Sequence, residues 1–270
     1  MERSASRRAL TEISGLPSSV LDYSWSLIHI SEPTKPERIS YAVFCLKNQI
    51  YAQSNQSDKH VVLLGDSIFD NKIYVGTSPA VIDQVRSTLG NQWKATLLAV
   101  DGNVTNDVVR QMQKLPETAT HLVISVGGND ALVNQAILTG QDSSAAATFL
   151  KLSEIQQTFG TRYETMIKQV LSQNRPTAVC TIYDPNFANS QQNQIASAAL
   201  SVFNDRITRT AFAHGIPVID LRLLFTGKQD YANPIEPGPQ GGAKIAKQIQ
   251  QILLHHDFTR KQSVIYPAAK

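Results

Sequence analysis

From Lys59 onward, short apolar runs alternate with longer segments whose apolar positions recur every three or four residues. Five runs read as strands: Val61–Leu64, Ala95–Val100, Leu122–Val126, Thr177–Tyr183 and Ile216–Leu221. Each is apolar on both faces, the mark of a parallel sheet covered on two sides. Between them Val104, Val108, Met112 and Leu115 fall on one helical face. So do Ile195, Ala199, Val202 or Phe203, Ile207 and Ala211. Further helices are predicted around 79–89, 148–173 and 240–254. Pro79 stands near a helix start, and Gly90 and Gly215 stand at helix ends. The Ser/Ala-rich stretch Gln141–Ala147 reads as a loop. Strand–helix alternation of this kind predicts a doubly wound α/β sandwich on a five-stranded parallel sheet.

Residues 1–58 break the pattern. They show no alternation, and Pro17, Pro33 and Pro36 interrupt any long helix. The string from Ser26 to Lys47 resembles a translated sequencing adapter of the sort found in reading frames assembled from environmental DNA. The expected organisation is therefore a non-native or disordered extension over 1–58, a catalytic-type domain over 59–258 and a tail over 259–270.

Composition narrows the class. A chain of 270 residues with 42% apolar residues can bury a full core. A net charge of +3 without a basic stripe argues against nucleic acid as a partner. The two cysteines, Cys45 and Cys180, make no disulfide framework, and Cys180 falls inside a predicted strand. No run reaches the ~20 apolar residues of a membrane span. Without a signal-peptide pattern the expected location is the cytoplasm. Oligomeric state is not set by any of these features.

In an open parallel sheet, ligands bind beyond the carboxyl ends of the strands. Strand one ends in Gly65-Asp66-Ser67, followed by Asp70 and Asn71. Strand two ends in Asp101-Gly102-Asn103, strand three in Gly127-Gly128-Asn129-Asp130, and strand four in Tyr183-Asp184-Pro185-Asn186. A serine, a side-chain amide and glycine-flanked backbone at one edge are what acyl transfer needs. Ser67 is the candidate nucleophile. The alternatives are ordinary ones: an N-cap for Ser67 and a turn-forming amide for Asn129.

These motifs resemble the SGNH/GDSL hydrolases, serine esterases and lipases on a flavodoxin-like three-layer α/β/α sandwich. Gly-Asp-Ser, the glycine after strand two and Gly-Gly-Asn-Asp match three of four signature blocks in order, over roughly residues 60–254. The resemblance implies Ser67 as nucleophile, with the Ser67 and Gly102 N–H groups and the Asn129 amide as the oxyanion hole. It implies a small-molecule carboxylic ester as substrate, expected to carry a small acyl group, and no cofactor or metal.

The fourth block, Asp-x-x-His, falls on Asn233-Pro234-Ile235-Glu236. The general base is replaced by glutamate and its orienting carboxylate by an amide. His60, His121 and His214 lie at or behind the amino ends of strands, His255 and His256 at the far end of a helix, and His29 in the extension. Glu236 is then the candidate base, with Asn233 placed to orient it. A carboxylate capping the next helix is the competing reading, and would hold its pKa down. Asp66, Asp70, Asp130 and Asp184 are expected to shape the site. Their clustering leaves a hard-metal site as a lesser possibility. Besides an esterase, the pattern admits a catalytically silent protein that binds an acylated or glycosylated small ligand in the same crevice.

Overall fold

The computed structural model describes residues 59–140 and 144–266. The expectations for 1–58, including Cys45 and His29, and for Gln141–Ser143 lie outside them.

Six parallel strands form the central sheet: β1 (Lys59–Gly65), β2 (Trp93–Leu97), β3 (His121–Ser125), β4 (Thr177–Cys180), β5 (Val218–Ile219) and β8 (Ile265–Tyr266), in the order β2-β1-β3-β4-β5-β8. A small antiparallel hairpin, β6 (Tyr231–Asn233) with β7 (Glu236–Pro237), stands apart from it. The helices are α1 (Lys72–Val75), α2 (Val81–Leu89), α3 (Asp107–Met112), α4 (Gly128–Leu132), α5 (Ala145–Leu171), α6 (Ser190–His214), α7 (Leu221–Leu224) and α8 (Pro239–His255).

Successive side chains of each strand enter opposite cores, as the pleat requires. Val61, Leu63, Val123, Ala178 and Ile219 face α2 and α8, where Val81, Val85, Ile245, Ile249 and Ile252 meet them. Val62, Leu64, Leu122, Ile124 and Val179 face α3, α5 and α6 through Val108, Tyr163, Ile167, Phe203 and Ile207. Cys180 is a buried free thiol in the first of these cores.

Three expectations are corrected. The sheet has six strands, because the segment expected as a tail docks Ile265–Tyr266 beside β5. Strand four stops at Cys180 because the Asn204 amide takes both the N–H and the C=O of Ile182, at 2.8 Å each. The loop expected up to Ala147 ends earlier: Ser144 accepts the Ala147 N–H as an N-cap, and α5 begins at Ala145. No helix among the described residues is long and apolar enough to cross a membrane.

The chain leaves β1 for β2 on one side and returns to β3 on the other. The carboxyl ends of β1 and β3 therefore flank the topological switch point, where a doubly wound sheet opens a crevice.

Candidate active site

Ser67 lies in the turn beyond β1, and the shape of that turn rests on Gly65. Gly65 has φ +129°, and a Cβ there would meet the Ser125 carbonyl oxygen at 1.8 Å. Its own N–H and C=O are taken by the Gln111 side chain at 2.8 and 2.7 Å. The Ser67 hydroxyl donates to Glu236 Oε1 at 3.0 Å. It does not cap a helix: the next one, α1, begins after Asn71.

Glu236 reaches Ser67 from β7, across 169 residues of sequence. The turn that presents it is clamped from several sides. Asn233 Oδ1 accepts the N–H groups of Ile235 and Glu236, both at 3.0 Å. Tyr183 donates its hydroxyl to the Ile235 carbonyl at 2.7 Å, and the Asn71 amide donates to the Pro237 carbonyl at 2.9 Å. Asn233 thus orients Glu236 through the backbone and not through its carboxylate, as the sequence suggested. The helix-cap reading is set aside, because α8 starts at Pro239 with Gly238 as its N-cap and no side-chain cap bond.

Glu236 is only 6% exposed, and its Oε2 has no hydrogen-bond partner. Burial lifts its pKa to about 7; the Ser67 hydroxyl opposes the shift, and the Asp101 charge adds to it. Asp66 is buried beside it, with Oδ1 accepting the Ile68 N–H at 3.1 Å. Desolvation raises Asp66 to about 8 against that N–H, and the charges of Glu236, Asp130 and Asp101 push the same way.

Asn129 opens α4 beyond β3 and donates from Nδ2 to the Asn103 carbonyl at 2.9 Å. Asn103 Oδ1 in turn accepts from Gln111 at 2.9 Å. Gln111 therefore ties together the turns after β1, β2 and β3. Gly102, at φ +79°, sits in the exposed turn after β2, where it has open space on its Cβ side. Asp70 Oδ2 accepts the Asp101 N–H at 3.0 Å, and Asp101 accepts the Tyr74 hydroxyl at 2.8 Å. Asp130 Oδ2 accepts both the N–H and the hydroxyl of Thr105 at 2.9 Å, so it fixes the loop leading to α3. Asp184 is exposed and contributes its carbonyl to the Tyr231 hydroxyl at 2.6 Å.

Ser67, Asp66, Asn129 and Glu236 line one cavity of about 800 Å³. Its other walls are mainly apolar, built from Ile68 and Ile235 and from α4, α5 and α6 through Leu132, Ile155, Ile195 and Phe203. Among the described residues, Asp66 and Glu236 are its only carboxylates, and no lysine, arginine or histidine lines it. The five described histidines are engaged elsewhere or lie away from it. His60, for example, meets the Thr96 and Thr118 hydroxyls at 2.8 and 2.9 Å. Among the described residues no group of three or more His, Cys, Asp or Glu side chains is placed to hold a metal.

One residue that builds this site, Gln111, escaped the sequence reading; its only signal is its position between Val108 and Met112 on a predicted helix. Asn71 was placed at this edge, though no role was given to it.

A serine hydrogen-bonded to a buried carboxylate thus stands beside an asparagine at the switch point of a parallel sheet, where doubly wound folds bind their ligands. The model of the GDSL-like lipase/acylhydrolase family matches residues 63–244. The chain belongs to that family, whose members are hydrolases of ester bonds. Solved structures agree on the fold. The lipase/acylhydrolase of Enterococcus faecalis is 20% identical at TM-score 0.51, over 72% of this chain and 95% of that one. Phospholipase A1 of Streptomyces albidoflavus is 19% identical at TM-score 0.50, over 69% and 96%. The extracellular lipase of Streptomyces rimosus is 16% identical at TM-score 0.50, over 69% and 95%. No curated protein matches the sequence.

Proposed function

We propose that the chain hydrolyses carboxylic esters with Ser67 as nucleophile and Glu236 as its general base. The observation that carries this reading is the 3.0 Å hydrogen bond from the Ser67 hydroxyl to a carboxylate that is buried and otherwise unpartnered. An ordinary glutamate, near 4.3, takes a serine proton poorly at neutral pH. One raised to about 7 is matched to the task.

In the proposed reaction Ser67 Oγ attacks the ester carbonyl while its proton moves to Glu236. The oxyanion is held by the N–H groups of Ser67 and Gly102 and by the Asn129 amide. The tetrahedral adduct collapses, the C–O bond to the leaving group breaks, and Glu236 returns its proton to the departing alkoxide. Glu236 then takes a proton from water, which attacks the acyl-enzyme, and passes it to Ser67 Oγ as the acid leaves. The acyl chain lies in the apolar part of the cavity. At about 800 Å³ that cavity is far larger than an acetyl group, so the reading moves from small acyl groups to longer ones.

The test is a pH–rate profile on p-nitrophenyl butyrate, run beside Ser67→Ala and Glu236→Gln, with fluorophosphonate labelling. Wild-type turnover rising through an apparent pKa near 7, lost in both variants, with label on Ser67 alone, supports it. Ligand uptake without labelling or turnover at any pH would instead identify a silent binding protein.

A further inference from the structure

We propose that Asn103 is a positioning residue for the oxyanion hole. Gln111 fixes it through its side chain, and its own carbonyl fixes the amide of Asn129. The proposal rests on the esterase reading, in which Asn129 is an oxyanion donor.

A side-chain amide stabilises an oxyanion best when its N–H is aimed before the charge develops. The Asn129 amide has two hydrogens. One is donated to the Asn103 carbonyl at 2.9 Å, which sets the plane of the amide at the wall of the cavity that holds Ser67. The other is left for the substrate oxygen. The aim of the donor therefore depends on where the Asn103 carbonyl stands.

That carbonyl belongs to the turn after β2, where Asp101 and Gly102 are exposed and Asn103 is half-buried. The β1–β3 ladder brings Ser67 and Asn129 to one edge, but it does not hold this turn. The turn is fastened at Asp101, whose N–H donates to Asp70, and at Thr105, whose N–H and hydroxyl donate to Asp130. Between these points Asn103 is tied to the interior by its side chain: Oδ1 accepts from Gln111 Nε2 at 2.9 Å.

Gln111 is a firm anchor. It is 5% exposed, and its whole amide is used, with Oε1 accepting the Gly65 N–H at 2.8 Å and Nε2 donating to the Gly65 carbonyl at 2.7 Å as well as to Asn103. Gly65 ends β1 and leads into the turn that carries Ser67. Through Gln111 and Asn103 the Asn129 amide is thus referenced to the backbone that carries the nucleophile. The two bonds to Gly65 satisfy buried backbone and serve the fold. The third reaches a half-buried side chain, and what it adds is position.

The experiment is a double-mutant cycle on p-nitrophenyl butyrate: wild type, Asn103→Ala, Asn129→Ala and the double variant, each with a thermal melt. Asn103→Ala leaves the Asn103 carbonyl and both Gln111–Gly65 bonds in place, which a substitution of Gln111 would not. We expect it to lower kcat by on the order of tenfold, as a small misplacement of a donor does, with KM within about twofold and Tm within about 5 °C of wild type. On the Asn129→Ala background the same substitution should cost no more than about threefold, because the amide it positions is gone. Asn103→Ser, whose hydroxyl is too short to reach Gln111 and which suits a turn, repeats the test should the alanine variant fold poorly. An equal cost on both backgrounds overturns the proposal. So does an unchanged kcat, a rise in KM alone, or a lowered Tm with kcat per folded molecule unchanged, since each leaves Asn103 a merely structural role. If Asn129→Ala itself leaves kcat unchanged, the oxyanion reading falls and takes the proposal with it. If Asn129→Ala lowers kcat and Asn103→Ala does not, the proposal alone falls.

Discussion

Replacing Glu236 by glutamine should destroy activity and stabilise the fold, and the stabilisation should depend on pH. The carboxyl group titrates at 4.5 when unfolded and near 7 when folded. A raised carboxylate pKa means that the folded state binds the proton more tightly than the unfolded chain does. Its contribution to stability is therefore full below the unfolded value and is lost as pH rises through about 7. Above that, both states are ionised, and the folded state carries the cost of a desolvated charge. The interval between 4.5 and about 7 corresponds to about 3 kcal/mol at pH 8 and under about 1 kcal/mol at pH 5.

In Glu236→Gln the amide oxygen still accepts the Ser67 hydroxyl, and the uncharged side chain has no such cost. Its amide N–H₂ takes the place of an oxygen that has no partner, a penalty that is the same at both pH values. Urea denaturation of wild type and variant at pH 5 and pH 8 separates these effects. The variant should gain roughly 2–3 kcal/mol on wild type between the two pH values, or roughly 4–12 °C in Tm for a domain of this size. Turnover should fall by on the order of 10²–10⁴, as expected for loss of a general base. A stability difference that is the same at pH 5 and pH 8 would refute the reasoning, because it would mean that Glu236 is not held as a desolvated carboxylate.

Four further outcomes are expected. Asn129→Ala should lower kcat by about 10²–10³ with little change in KM, since an oxyanion donor acts mainly on the transition state; steady-state kinetics check it. Gly65→Ala should prevent folding or cost many degrees in a thermal melt, because the new Cβ meets backbone at 1.8 Å. Gly102→Ala should cost only the roughly 1–2 kcal/mol of its left-handed conformation, having open space. Asp66→Asn should keep activity at pH 7 and flatten the upper limb of the pH–rate profile relative to wild type, where burial raises Asp66 to about 8 and its ionisation would put a second negative charge beside Glu236.

The strands and long helices were legible because burial on two faces leaves an unbroken apolar run, and burial on one face leaves a period near 3.6. What escaped has physical reasons. Ile265–Tyr266 pairs with β5 over only two residues, too short to carry a pattern, so the sixth strand was missed. The four- and five-residue helices α1, α4 and α7 are too short to show a period. Gln111 drew no notice as a polar side chain on a helix, yet it is 5% exposed because it satisfies the backbone groups of Gly65 at a strand end; Asn71, placed at the edge, is 0% exposed for the same kind of reason. Glu236 was found because it falls at the histidine position of the fourth block of the family that the sequence resembles. That its carboxylate would meet Ser67, rather than the N-terminus of α8, was open until the β6–β7 hairpin placed it.

A glutamate base changes the electrostatics of the proposed reaction. A histidine base becomes a cation as the oxyanion forms, and the two charges attract. Here Glu236 becomes neutral as the oxyanion forms, so the site keeps one negative charge and only moves it from carboxylate to oxyanion. That transfer is easiest if the base is no more stable ionised than it needs to be. Desolvation supplies this by bringing Glu236 to about 7, and the Asp101 charge pushes the same way. Asp66, buried beside it, is likewise raised by desolvation. A lysine or arginine introduced at the wall, at Gln135 for example, would work against the chemistry: by stabilising ionised Glu236 it would lower the basicity that the reaction requires.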